Sequence, residues 1–130
     1  MKRLLKSLLP LAILFLYQPA SGQTKWVSPT NACAVKNPQA GNAAGLKDAK
    51  ALYISMCGPC HGNKGKGDGP AAAALNPKPA DHTSKVIQSE TDGSLYWKIT
   101  TGRGAMQSYK TQLTDQQRWS LVNYIRTLKK

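Results

Sequence analysis

The stretch MCGPCHGNKGKGDGP, residues 56–70, places two cysteines, a histidine and five glycines in fifteen positions. Cysteines three apart serve a redox dithiol, half of a zinc site or an anchor for a prosthetic group. The residues before and after the pair decide among these, and the fold turns on that decision.

Upstream, Ala49, Leu52, Tyr53 and Met56 fall at i, i+3, i+4 and i+7, one face of a helix over 46–56 that runs straight into Cys57. Downstream, 62–79 is a long Gly/Pro loop, broken by a short helical stretch at 71–75. Loops of that length are uncommon in a small domain unless they wrap around something. A thioredoxin-like dithiol needs a preceding strand in a βαβ frame, yet a helix precedes this one and no segment alternates over strand length. A structural zinc site needs four ligands, and Cys57, Cys60, one of His61 and His82, and the distant Cys33 make a poor set.

What remains is Cys57-Gly58-Pro59-Cys60-His61 as C-x-x-C-H, a c-type haem attachment site. Residues three apart on a helical turn project to one side. Both sulfurs then reach the two vinyl groups on one haem edge, and the next residue, His61, can place a ring nitrogen on the iron. Thioether formation also consumes both thiols, which an oxidising compartment would otherwise attack.

The remaining pattern is helical. Residues 92–101, DGSLYWKITT, read as a helix with Leu95 and Ile99 inward and Gly102 as its stop. Thr114 and Gln117 form a capping box ahead of a last helix whose stripe is Leu121, Tyr124, Ile125 and Leu128, widened by Trp119 and Val122. Lys129 and Lys130 follow at the negative end of its dipole. The expected fold is all-α, with three main helices and much loop over residues 45–130. Large apolar side chains are few, and a core so thin needs an insert. A flat apolar cofactor supplies it.

Residues 1–22 read as a signal peptide: Lys2, Arg3 and Lys6, then an apolar run from Leu8 to Tyr17, then Ala20-Ser21-Gly22 before a cut at Gln23. That apolar run is too short for a membrane span, which needs roughly 20 residues. The expected location is periplasmic or otherwise exported. Removing three of the 18 Lys+Arg leaves 15 against six acids, a net charge of about +9. This favours acidic redox proteins as partners, with peripheral association with anionic membranes as a second option. No nucleic-acid motif is present. Residues 23–44 lack periodicity and read as an extended arm, tethered by Trp26 and Val27. Cys33 is left unpaired and lacks a lipobox before it.

A low-spin electron carrier needs a ligand on the second face of the haem. Met56 abuts the attachment site and reads as packing. Met106, in the loop Gly102-Arg103-Gly104-Ala105-Met106, lies on no helical stripe and is the candidate. His82 is its rival, and an open position is the third option. A thioether ligand favours ferrous iron and raises the potential.

The set CGPCHGNKGKGDGP, PKPAD, TDGSLYWKITTGRGAMQSY and LTDQQRWSLVNYIRTL resembles a small class I cytochrome c over residues 45–130, and the arm WVSP…KNP resembles exported relatives. The resemblance implies the cytochrome c fold, three main helices wrapped around one covalent haem c, with first and last helices crossing. It implies Cys57 and Cys60 as thioether anchors, His61 as proximal and Met106 as distal iron ligand, Pro70 O as acceptor for the second nitrogen of His61, and Tyr53 at the helix crossing. Two departures stand out: Gln107 where the family often has proline, and Ala49 where glycine is common. Trp97 and Arg103 are candidate donors to the haem propionates. Lys64 and Lys66 are solvated loop lysines or part of a docking rim.

The expected function is one-electron transfer without substrate chemistry. Two alternatives are an electron-entry subunit of a larger oxidoreductase, and a protein whose methionine ligand is labile enough for weak peroxidase or gas-binding activity.

Overall fold

The helices form where the apolar spacing requires them. The structure, a computed structural model, describes residues 25–130. The expected leader, residues 1–22, lies outside the described residues. The order is α1 (Thr30–Cys33), α2 (Leu46–Met56), α3 (Gly58–His61), a 3-10 turn (Ala72–Ala74), α4 (Lys85–Gln88), α5 (Asp92–Thr101) and α6 (Asp115–Thr127). No strand forms among the described residues, and one isolated antiparallel bridge joins Arg103 and Met106.

The three long helices, α2, α5 and α6, share one apolar core. Their inward residues are Ala49 and Tyr53 from α2, Leu95 and Ile99 from α5, and Trp119, Leu121, Val122, Tyr124 and Ile125 from α6. Where α2 meets α6, the rings of Tyr53 and Tyr124 lie 5.0 Å apart. Where α5 meets α6, Tyr96 stacks on Trp119 at 4.0 Å. Leu121 and Val122 are fully buried, each worth about 1.5–3 kcal/mol of removal from water. The capping box forms as its residues predict: Gln117 N donates to Thr114 Oγ1 at 3.2 Å and Thr114 N to Gln117 Oε1 at 2.9 Å. At α5, the Thr91 hydroxyl accepts from Ser94 N, and Gly102 ends the helix at φ +65°, a conformation that disfavours a side chain.

The arm is less extended than its sequence suggests. It carries α1, which packs on α5 so closely that a Cβ at Gly93 would overlap the Ala32 carbonyl oxygen. The Ser28 and Ser94 hydroxyls lie 2.6 Å apart in the buried seam, and Ser94 donates on to Glu90, which pairs with Lys98. Asn37 donates to Asp92 and to Asn123, and Asn123 donates to Gln39 O. Trp26 does tether the arm, edge-on against Trp97 at 6.2 Å. Val27 does not, because it is 68 % exposed; the hydroxyl of Ser28 supplies the second anchor.

The short α4 is absent from the sequence reading because four residues show no period. It is made by its surroundings. Ser84 accepts from Ile87 N at its start. Arg126 of α6 donates to the carbonyl of Gln88, the last residue of α4, to the Glu90 carbonyl just beyond it and to Asp92, which opens α5.

Candidate functional site

Cys57 closes α2 by donating its amide to Tyr53 O at 2.8 Å, and its own carbonyl accepts from Cys60 N and His61 N at 3.2 and 2.8 Å. One turn therefore carries both sulfurs and the imidazole. All the cysteines are free thiols, and Cys57 and Cys60 are half-buried. Before any thioether forms, burial, and then the neighbouring Cys60, push the Cys57 thiol up to about 12. The glycine-rich loop folds back on this turn: Gly67 N donates to His61 O, Gly69 N to Cys60 O and Ala71 N to Pro59 O. Gly69 passes so close to α3 that a Cβ would lie 2.5 Å from Gly58 O.

His61 Nδ1 lies 3.0 Å from Ala80 O. A carbonyl only accepts, so Nδ1 carries the hydrogen and Nε2 keeps its lone pair. Burial lowers the His61 pKa, partly offset by the Ala80 bond, which favours the neutral, metal-binding ring. The acceptor expected from the resemblance was Pro70 O, and this is corrected. Pro70 is exposed, whereas the backbone at Gly67 runs so close to Pro79 O and Ala80 that the returning chain is held against the turn that carries His61.

His82 stacks on the His61 ring at 4.1 Å and 20°, and its Nδ1 lies 2.7 Å from Tyr53 Oη. Burial, and then His61, lower the His82 pKa to about 3. As a rival ligand His82 is badly placed, because it lies face to face with His61 rather than opposite it. Its backbone is held as well: His82 N donates to Gly65 O at 2.6 Å and Gln88 Nε2 donates to His82 O at 2.7 Å.

Met106 sits in a tight turn in which Arg103 N donates to Met106 O and Met106 N to Arg103 O, at 2.8 and 3.0 Å. Its half-buried side chain packs against the core that Cys57 and Met56 also touch. Tyr109 ties this loop to the cysteine-bearing region: its amide donates to Ile99 O and its hydroxyl to Met56 O at 2.9 Å. Trp97 and Arg103 have a use that the sequence did not reveal. Trp97 backs Trp26, and the Arg103 guanidinium lies 5.9 Å from the Trp26 ring centroid. Ala80, Tyr109 and the His61–His82 stack were also missed. The one available signal was a histidine three residues after the last proline of NPKP.

The zinc arrangement does not assemble: among the described residues no three His, Cys, Asp or Glu side chains converge, and the Cys33 thiol points to Ser28 O. Lys64 and Lys66 line a shallow cavity beside Gly58, Gly62 and Pro70. The donor set suits a covalent haem. It has two unbridged thiols on one turn, an imidazole whose free lone pair is on Nε2, and a soft thioether on a separate loop that packs on the same core.

An all-α domain with this turn has the cytochrome c fold and is a c-type cytochrome. The chain belongs to the family described as cytochrome c oxidase, cbb3-type, subunit III, which matches residues 44–125. Among solved structures it is similar to a chain of the Kuenenia stuttgartiensis reducing HAO-like protein complex Kustc0457/Kustc0458. The TM-score is 0.59 at 30% identity, over 68% of this chain and 45% of that one. It therefore spans less than half of that relative. The fold also matches the KustC0563 c-type cytochrome, with a TM-score of 0.55 at 24% identity, over 63% of this chain and 98% of that one. No curated protein matches it. The chain is thus an electron-transfer cytochrome with covalently bound haem c and its iron.

Proposed function

We propose that this protein is an exported monohaem cytochrome that carries one electron between redox proteins and performs no bond-making chemistry of its own. Cys57 and Cys60 hold the haem as thioethers, and His61 and Met106 are the axial ligands. Trp97 and Arg103 are the candidate donors to its propionates. The haem supplies the Fe(III)/Fe(II) couple. The chain's part would be to keep the His61 ring neutral and able to bind iron, offer the Met106 thioether and exclude water; the soft sulfur and the exclusion of water favour the reduced state.

One observation carries this reading: His61 Nδ1 is committed to Ala80 O on the turn that also bears both free thiols. The test is an absorption spectrum of protein matured in a host that attaches haem, joined to intact mass and the weak iron–sulfur band of the oxidised form. One haem mass and that band support the reading; unmodified thiols at positions 57 and 60 overturn it. Rapid carbon monoxide binding by the reduced protein at neutral pH points instead to a labile Met106.

Partner choice follows from charge. Lys64 and Lys66, exposed beside the cysteine turn, steer an acidic partner to that edge. Oxidation by such a partner then slows steeply as ionic strength rises, and a rate indifferent to salt rejects the steering. A second reading, an electron-entry subunit, is favoured by the relative that belongs to a multi-protein complex. Stable co-purification with a larger oxidoreductase decides for it. No helix among the described residues is long and apolar enough to cross a membrane.

A further inference from the structure

We propose that His82, backed by Tyr53, is a positioning residue that sets the rotation of the His61 ring; this rests on His61 being the proximal ligand. A single hydrogen bond cannot fix that rotation. Nδ1–H···O=C at Ala80 pins one point of the imidazole but leaves its plane free to rock about the bonded direction. The second constraint is the flat face of His82, 4.1 Å away and within 20° of parallel. Turning His61 out of its plane drives it into that face.

His82 cannot yield easily. Its amide is held by Gly65 O and its carbonyl by Gln88 Nε2, which also donates to Ile125 O in α6. Its ring is held by the Tyr53 hydroxyl at 2.7 Å. Tyr53 is fully buried and lies against Tyr124 at the α2–α6 packing. A contact path therefore runs from the packing of the two longest helices, through Tyr53 and His82, to the candidate ligand ring. An apolar filler would pack at position 82 without needing a partner, whereas a half-buried imidazole costs some desolvation unless it is hydrogen-bonded. The bond to Tyr53 orients the His82 ring, and that orientation is what His61 meets.

Ligand-plane orientation is read in the ferric haem-loaded protein by the spread and order of the haem-methyl proton shifts and by the EPR g anisotropy. His82→Ala is expected to change both while leaving the absorption maxima in place, because ligand identity is kept. His82→Phe, which keeps the flat face, is expected to restore most of the wild-type methyl pattern. Tyr53→Phe, which removes only the hydrogen bond, is expected to shift the pattern in the same direction as His82→Ala by less. A wild-type methyl pattern and wild-type g values in His82→Ala overturn the inference. If that variant fails to hold haem, Tyr53→Phe decides alone: a shifted pattern supports the inference and an unchanged one overturns it. Failure of the underlying reading has its own signature, since His61→Ala that keeps the wild-type absorption spectrum removes His61 as ligand and the inference with it.

Discussion

The two loops that carry the candidate iron ligands are built differently. The His61 side is held by many independent contacts: the α3 turn, three backbone bonds from the returning glycine loop, the Ala80 carbonyl and the His82 ring. The Met106 side rests on fewer ties: one two-bond turn with Arg103, with Gly102 before it and Gly104 within it at positive φ, the Arg103–Trp26 contact, the Ser108 hydroxyl donating to Thr100 O, and Tyr109. Nothing lies within 4 Å of where a side chain at Gly104 would begin. Local unfolding starts where contacts are few, so the methionine side opens first and the histidine side last. On the proposed ligation, His61 is expected to stay on the iron under stress and Met106 to leave it first.

The sharpest break of this contrast is Met106→Ala against the wild type. Loss of the iron–sulfur band, a fall in reduction potential and rapid carbon monoxide binding are expected, with the haem still covalently attached. An unchanged band would remove Met106 from the iron. Next comes Gly102→Ala. It forces a side chain into positive φ, with its Cβ 2.5 Å from Met106 O, at about 1–3 kcal/mol for the backbone alone. Thermal unfolding should drop, and the iron–sulfur band should be lost well below the global transition. Tyr109→Phe is gentler: it leaves Met56 O without its hydroxyl donor, at about 1–3 kcal/mol, and should loosen the methionine loop without altering the cysteine turn. Amide exchange at Ser108 and Tyr109 that is no faster than wild type would contradict the tie. Thr114→Ala removes a cap remote from both loops and should cost about 1 kcal/mol of stability by denaturant titration, with spectra unchanged.

The smallest effect is a pH dependence on the histidine side. The Thr83 hydroxyl and amide hold the Asp81 carboxyl below its usual range. Because the folded value is depressed, the stabilisation is complete above the ordinary aspartate pKa of about 3.9 and drains away as pH falls through the lower folded value. Asp81→Asn should therefore lower stability slightly at pH 7, flatten the acid limb of the stability-against-pH curve and converge with the wild type at low pH. An acid limb identical to wild type would show that the Asp81–Thr83 bonds do not persist in solution.

How much was legible in the sequence follows the range of each interaction. The bounds of α2, α5 and α6 and the Thr114–Gln117 box emerge from spacing, because helical pairing and capping join residues three and four apart. The cysteine–histidine turn is equally local. The Tyr53–His82, Tyr109–Met56 and Ser28–Ser94 contacts join residues 29, 53 and 66 positions apart, and no periodicity encodes them. His61 shows the division within one residue. Its neighbours in sequence identify it as a candidate ligand, yet its acceptor, Ala80 rather than Pro70, depends on how a glycine loop returns.

By itself, the order of residues settled that this is a helical domain with a thin apolar interior and a thioether-competent turn, since spacing, capping and thiol placement act within a few positions of the chain. Only the tertiary structure decided what surrounds that turn: a histidine pressed flat against another, a methionine on a lightly held loop, and an arm docked on α5 through Trp26 and Ser28. These arise from shape and burial between segments distant along the chain, where the free energy belongs to the pair and neither partner announces it alone.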